Sequence, residues 1–123
     1  MHEMALCTEV VDNVLAVAQE ADAVSVDRVD MVIGEMRDIV IDLFDGFFHF
    51  LARDTIAENA TVSYTTVPLM VRCRLCGTTF RLDLHGEGEV LCPKCQGHDY
   101  EMVSGNEFLI ESIDVTTRDQ APD

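Results

Sequence analysis

Positive charge is what this chain has least of. Lysine occurs once, as Lys94, and seven arginines complete the basic set against 23 acidic residues, for a formal net charge of −15. A surface of that sign repels phosphate backbones, so nucleic acid is excluded as a partner. No apolar run approaches the roughly 18 residues a membrane span needs, and the N-terminus lacks the basic stretch of a signal peptide. These absences predict a soluble cytoplasmic protein with no membrane partner, where thiols stay reduced and cysteines bind metal rather than pair. Also missing are a Gly-rich phosphate loop, a Ser/His/Asp set and a paired-carboxylate site, so the chain is not expected to be an enzyme. The acidity itself fits either a saline host or a partner with a basic face.

What the sequence does have is a pair of Cys-x-x-Cys knuckles. Cys73-Arg-Leu-Cys76, with Gly77 next, is separated by fifteen residues from Cys92-Pro-Lys-Cys95. That separation brings four thiolates to one tetrahedron, which suits structural Zn(II) with Zn–S bonds of about 2.3 Å. An iron site of rubredoxin type uses the same ligand set, and a redox dithiol is the rival use of one knuckle. Zinc on four thiolates would take the formal charge to −17, four charges lost and two gained. Between the knuckles, Phe80, Leu82 and Leu84 alternate with polar residues and Gly86-Glu-Gly88 supplies a turn. The pattern predicts a small hairpin with too little core to fold alone, where metal binding contributes folding free energy.

Periodicity organises the remainder. Met4, Cys7, Val11, Val14 and Ala18 follow helical spacing to about Ala21, with Cys7 on the apolar stripe as an inert buried thiol. Val24 to Met36 reads as a strand, but Val24 and Val26 keep the opposite phase to Val29, Met31 and Ile33, which points to a bulge near Asp27-Arg28. A second helix is expected from about Asp38 to Arg53, its aromatic residues forming core, and Gly46 inside it costs roughly 1 kcal/mol relative to Ala. His49 on that helix is read as a surface or packed residue rather than a ligand, as are His85 and His98. Thr61 to Met70 gives the second strand, with Pro68 confining its end to an edge or exit. Phe108 to Val115 gives the third strand.

The predicted fold class is therefore α/β: two helices with a three-stranded sheet, plus an inserted small zinc-ribbon lobe. Its boundaries are 1–70 with 105–116 for a discontinuous α/β domain, 71–104 for the ribbon, and 117–123 for a disordered tail. Two crossings, near Val71 and near Ser104-Gly105-Asn106, would join the lobes as a hinge.

The start of the chain, Met1-His2-Glu3, can present an α-amine, backbone amides and an imidazole in one plane. Such nitrogen sets suit Ni(II) or Cu(II) rather than tetrahedral zinc. Met1-His2-Glu3-Met4-Ala5-Leu6, Ile33-Gly34-Glu35, Thr55-Ile-Ala-Glu58-Asn-Ala60, both knuckles, Val103-Ser-Gly-Asn-Glu-Phe-Leu-Ile110 and Ile113-Asp-Val115 together resemble the nickel-insertion metallochaperone family HypA/HybF. The likeness runs from residue 1 to about 115. It implies a two-lobed protein holding Ni(II) through Met1 and His2, with the Glu3 backbone nitrogen nearby, and zinc on Cys73, Cys76, Cys92 and Cys95. It further implies that Ni(II) is cargo, delivered with a nucleotide-hydrolysing HypB-type partner to the [NiFe] hydrogenase large subunit; some members also serve urease. Certain urease-linked members place His after the second Cys of each knuckle, where this chain has Gly77 and Gln96, so the resemblance leans towards hydrogenase. The sequence leaves room for a homodimer. The competing function class is a zinc-ribbon interaction adaptor or dithiol redox protein without nickel transfer, and a free-thiol count without chelator separates the redox form from the metal-bound one.

Overall fold

The structure, a computed structural model, describes residues 3–83, 86 and 90–119. Its elements run in the order α1 (Glu3–Glu20), β1 (Ala23–Gly34), a short 3-10 turn (Glu35–Arg37), α2 (Ile41–Leu51), β2 (Thr61–Val67), β3 (Met70–Cys73), β4 (Thr79–Arg81), β5 (Tyr100–Ser104) and β6 (Phe108–Thr117). The strands form two three-stranded sheets, β2-β1-β6 and β4-β3-β5.

The chain divides into two compact units. The first takes Met1–Val32, Ile39–Thr65 and Leu109–Asp123; the second takes Ile33–Asp38 and Thr66–Phe108. The second unit is therefore wider than the ribbon drawn from the sequence, because it also claims the end of β1 and the turn after it. The backbone passes between the units four times rather than twice: after Val32, Asp38, Thr65 and Phe108.

In the first unit the helical stripe of α1 buries Cys7, Val10, Val11, Val14 and Ala18. These positions recur every three or four residues, so one face of the helix is apolar throughout. Phe44 and Phe48 of α2 are completely buried one helical turn apart, and Phe44 meets the Tyr64 ring of β2 edge-on at 5.9 Å. The Cys7 thiol points at the Phe44 carbonyl, 3.6 Å away. Burial, helped by the nearby Asp45 carboxylate, pushes that thiol up to about 12, so it stays protonated and inert. In β1, Val26 is buried, Asp27 and Arg28 are both exposed, and burial resumes at Val29 and Met31. The alternation thus slips by one residue where the sequence changes phase. The outward carboxylates of this strand are tied sideways: Asp30 accepts from Ser63 of β2 and from Ser112 of β6, and Asp27 accepts from Thr116. These hydroxyls favour the ionised carboxylates, holding both below the usual range.

Three expectations need correction. The predicted second strand, Thr61 to Met70, is two strands in different sheets, because Pro68 and Leu69 interrupt it. Proline has no N–H to give to a ladder, so pairing stops there and restarts with Met70. The hairpin of the metal lobe turns at the first knuckle: β3 pairs with β4, Val71 opposite Phe80, and on its other side with β5. Of the predicted alternating residues, Leu84 and the Glu87–Gly88 part of the turn lie outside the described residues. Finally, the third strand runs on past its expected end at Val115, since Thr116 and Thr117 belong to β6. Thr116 is held there by its bond to Asp27, which hydropathy does not register.

In the second unit, three stretches far apart in sequence lock together. The Gly34 N–H donates to the Glu107 carbonyl at 2.7 Å, and the Met36 N–H to the Gly105 carbonyl at 2.8 Å. A Cβ on Gly34 would lie 2.1 Å from the Gly105 oxygen, so only glycine permits this approach. Gly105 itself has φ +116 and stands against Leu69, where a Cβ would come within 2.6 Å of Cα. The Glu35 carboxylate completes the junction, accepting from the Leu69 N–H at 2.8 Å and pairing with Arg81. The crossing expected to act as a hinge near Ser104-Gly105-Asn106 is thereby bonded on several sides: Ser104 donates to the Pro68 carbonyl and Arg37 to that of Asn106.

Gly34→Ala is expected to destabilise the second unit by about 3 kcal/mol, the upper end for overpacking, because the added carbon meets backbone rather than a movable side chain. Phe48→Ala should cost the first unit about 3–5 kcal/mol by leaving a cavity. Urea unfolding followed by a probe in each unit checks both: each variant should lower the midpoint of its own unit, with the slope kept for Phe48→Ala.

Candidate metal centre

The two knuckles are built alike. In the first, Cys73 N–H donates to the Thr78 carbonyl at 2.8 Å and Gly77 N–H to the Cys73 carbonyl at 2.9 Å. In the second, Cys92 N–H donates to Gly97 at 2.8 Å and Gln96 N–H to Cys92 at 2.8 Å. Both turns need a left-handed residue just after the second cysteine, supplied by Gly77 at φ +79 and by Gln96 at φ +61. Glycine adopts that conformation freely, whereas Gln96 does so against a steric penalty of roughly 1 kcal/mol.

These turns aim all four sulfurs inward. The Sγ atoms of Cys73, Cys76, Cys92 and Cys95 lie within 4.8 Å of one another. Cys73 and Cys95 are 3.5 Å apart, as are Cys76 and Cys92. Tetrahedral ligands at about 2.3 Å from one ion stand about 3.8 Å from each other, so the spacing fits a four-sulfur metal site. Cys73 and Cys92 are buried, Cys76 and Cys95 exposed. Each knuckle thus contributes one inner and one outer sulfur. Among the described residues this is the one cluster of His, Cys, Asp or Glu donors close enough to hold an ion.

The lobe around the sulfurs has little core. Among the described residues, Ile33, Leu69 and Val71 are the buried aliphatic residues of its unit, Phe80 and Tyr100 meet edge-on at 5.8 Å, and Leu75 lies over Gly97 while remaining 69% exposed. Arg72–Glu101 at 3.4 Å and Arg74–Asp99 at 3.5 Å link β3 and its extension to the β5 side, but such exposed pairs contribute about 1 kcal/mol at most.

Electrostatics distinguishes the two outer thiols. The Thr78 hydroxyl lies 3.2 Å from Cys76 Sγ and, with the Thr78 N–H next in importance, draws that thiol down to about 6. At Cys95 the Gly97 N–H favours the thiolate, but the bond shared with Cys73, desolvation and the remaining sulfurs outweigh it and push the group up to about 12. Four sulfurs this close cannot all ionise unaided, so a divalent cation would replace protons here. Thr78 was not singled out from the sequence; a hydroxyl two residues after a ligand cysteine is the signal that could have found it.

Of the other candidate residues, Met1 and His2 lie outside the described residues, and so does His85. Glu3 is half-buried as the first residue of α1. His49 sits 3.4 Å from Asp45, which also accepts from Tyr64 at 2.7 Å. His98 is exposed, and neither histidine belongs to the sulfur cluster.

Comparison with known proteins agrees with this arrangement. The family model described as hydrogenase/urease nickel incorporation, metallochaperone, hypA matches residues 1–115. Hydrogenase maturation factor HypA of Dehalococcoides mccartyi is 41% identical, over 98% of this chain and 99% of that protein. The protein of the same description from Pyrococcus furiosus is 34% identical over 92% and 94%. In fold, the solution structure of the Ni metallochaperone HypA from Helicobacter pylori aligns with a TM-score of 0.64 at 21% identity, covering 96% of this chain and all of that one. An α/β fold carrying a four-sulfur cluster thus fits a metal-handling protein, and the chain belongs to the HypA family of hydrogenase/urease nickel metallochaperones.

Because Cys76 depends on Thr78 for its low thiol value, Thr78→Val should move it back towards 9 and let protons compete for the site at higher pH. Acid titration of the Co(II)-loaded protein, read by the sulfur-to-metal absorption, should show the variant losing metal at a higher pH than the parent. Coincident curves would mean that Thr78 does not tune the site.

Proposed function

We propose that this chain carries Ni(II) as cargo at its N-terminus and Zn(II) as a structural ion on Cys73, Cys76, Cys92 and Cys95. In this reading it hands nickel, together with a HypB-type nucleotide-hydrolysing partner, to the [NiFe] hydrogenase large subunit in the cytoplasm. The observation that carries it is the family match, which begins at residue 1 and includes both knuckles. The nickel ligands are the Met1 amine, the His2 imidazole and backbone nitrogens, with that of Glu3 among them.

The chemistry of the helix start supports this assignment. Glu3 opens α1, and the first N–H groups of a helix have no acceptor within it. The Glu3 nitrogen can therefore serve a metal without breaking the helical ladder. A helix N-terminus carries partial positive charge and disfavours a cation; the Glu3 carboxylate in the first turn offsets that cost. Planar nitrogen sets suit Ni(II), whereas the four sulfurs suit Zn(II), so the two ions are sorted by ligand type. The zinc supplies folding free energy to a lobe with few buried apolar residues, and the protein itself changes no bond in a substrate.

The test is a Ni(II) titration of zinc-loaded protein with a native start, beside a Gly-Ser-extended form and His2→Ala. The α-amine has an ordinary pKa of about 7.7–8.0, so nickel must displace its proton and binding should weaken on acidification. The extension should abolish tight binding by converting the amine to an amide, and His2→Ala should do the same by removing the imidazole. Glu3→Gln should retain much of the affinity, since the backbone rather than the carboxylate is the donor. If the extended form binds as tightly as the native one, the amine is not a ligand; if His2→Ala also binds unchanged, the nickel site lies elsewhere.

A further inference from the structure

Helix α2 is apolar on two faces. Phe44 and Phe48 turn into the core, while Leu43 and Phe50 are 45% and 51% exposed. With Met4 of α1, Gly46 and the half-buried Phe47, they line an open groove of about 370 Å³ whose one acidic lining residue is Asp42. An apolar helix face is ordinarily covered, and among the described residues of its unit this second one stays open to solvent.

Gly46 sharpens the point. Glycine inside a helix lowers its stability relative to alanine, a cost usually explained by close packing against a neighbour. Here an added Cβ would meet nothing within 4 Å. No packing among the described residues requires glycine at this position; its effect is to leave the floor of the groove open. Leu43, Gly46, Phe47 and Phe50 are spaced as one stripe of about two helical turns, the footprint that an amphipathic helix lays into a groove.

Charge selects the occupant. The first unit holds fifteen of the 23 acidic residues and only three of the eight basic ones, a formal charge of −12 out of the total −15. Its arginines are engaged: Arg28 pairs with Asp30, Arg118 with Asp22, and Arg53 lies 4.2 Å over the Phe50 ring while donating to the Phe50 carbonyl. An adaptation to a saline host would acidify both units alike, whereas the second carries eight acids against five bases. A second copy of the chain, equally acidic, would be repelled from the groove.

We propose that the groove formed by Met4, Leu43, Gly46, Phe47 and Phe50 docks a basic amphipathic helix of a partner protein. Apolar side chains of that helix fill the space above Gly46, and its Lys or Arg residues face the acidic surface of the first unit. This deepens the proposed delivery role by stating the chemistry of a partner's docking segment, and rests on that role only for the purpose of the encounter.

The probe is a fluorescent amphipathic Leu/Lys helical peptide, beside a scrambled peptide of the same composition, measured by anisotropy at physiological salt. The full chain should bind the amphipathic form about tenfold more tightly than the scrambled one. Gly46→Leu fills the groove without changing charge, and because the position is open and helical the variant should melt no lower than the parent. It should reduce binding of the amphipathic peptide to the scrambled level. Equal binding of both peptides, or unchanged binding by Gly46→Leu, would overturn the proposal. So would sedimentation showing a dimer of the parent that Gly46→Leu dissolves, since the occupant would then be a second copy. Nickel titration of Gly46→Leu keeps the two ideas apart: loss of peptide with nickel binding intact supports docking, whatever the nickel ligands prove to be.

Discussion

Four sulfur atoms within 4.8 Å of one another form an unstable arrangement unless something positive stands among them. As thiols they are crowded donors, and as thiolates they repel. The second unit is arranged around this constraint, because both knuckles, the β3–β4 turn and the approach to β5 exist to bring those sulfurs together. Few buried aliphatic side chains support them, so the lobe has little with which to hold its shape if the sulfurs part. The two inner cysteines act as core residues as much as ligands, and the two outer ones face solvent. An ion held by these four sulfurs would have two ligands anchored in the interior and two at the surface.

The parts of the fold that repeat were legible in the sequence. The α1 stripe fell where its apolar spacing placed it, and the slip in β1 coincided with the phase change at Asp27-Arg28. The double knuckle predicted the sulfur cluster directly, because ligand spacing in a tight turn leaves little geometric freedom. What escaped were features produced by distant partners. Pro68 was read as ending a strand, but the continuation of the chain as β3 in another sheet depends on β4 and β5, which lie further along. Thr116 lay beyond the expected end of the third strand because its reason for being in β6, a bond to Asp27, leaves no trace in hydropathy. Gly34 and Gly105 are ordinary turn residues in the sequence; only the structure brings one against the other.

The acidity was legible as a total and ambiguous as a meaning. Its uneven partition gives it direction. Most of the basic residues lie in the second unit, where Arg72 and Arg74 face Glu101 and Asp99 and Arg81 pairs with Glu35. Local pairing there leaves a modest charge, while the first unit carries carboxylates bonded by hydroxyls, which neutralise nothing, as at Asp27, and at Asp30 beside its pairing with Arg28. Hydroxyl donors fix a carboxylate in place and keep it ionised, so the field of that unit is a property of the fold and not of flexible side chains.

The four passages of the backbone between the units bear on how such a protein can change over generations. A lobe inserted at two points can be exchanged, enlarged or discarded as a cassette. Here the segment Ile33–Asp38, encoded some thirty residues before the rest of the second unit, would be left behind by any such exchange. It carries Gly34 and Glu35, whose partners Gly105, Glu107, Leu69 and Arg81 would leave with the cassette. The sulfur lobe is thus sewn into its host rather than plugged into it. Recombination at Thr66 and Phe108 would break the stitching on one side.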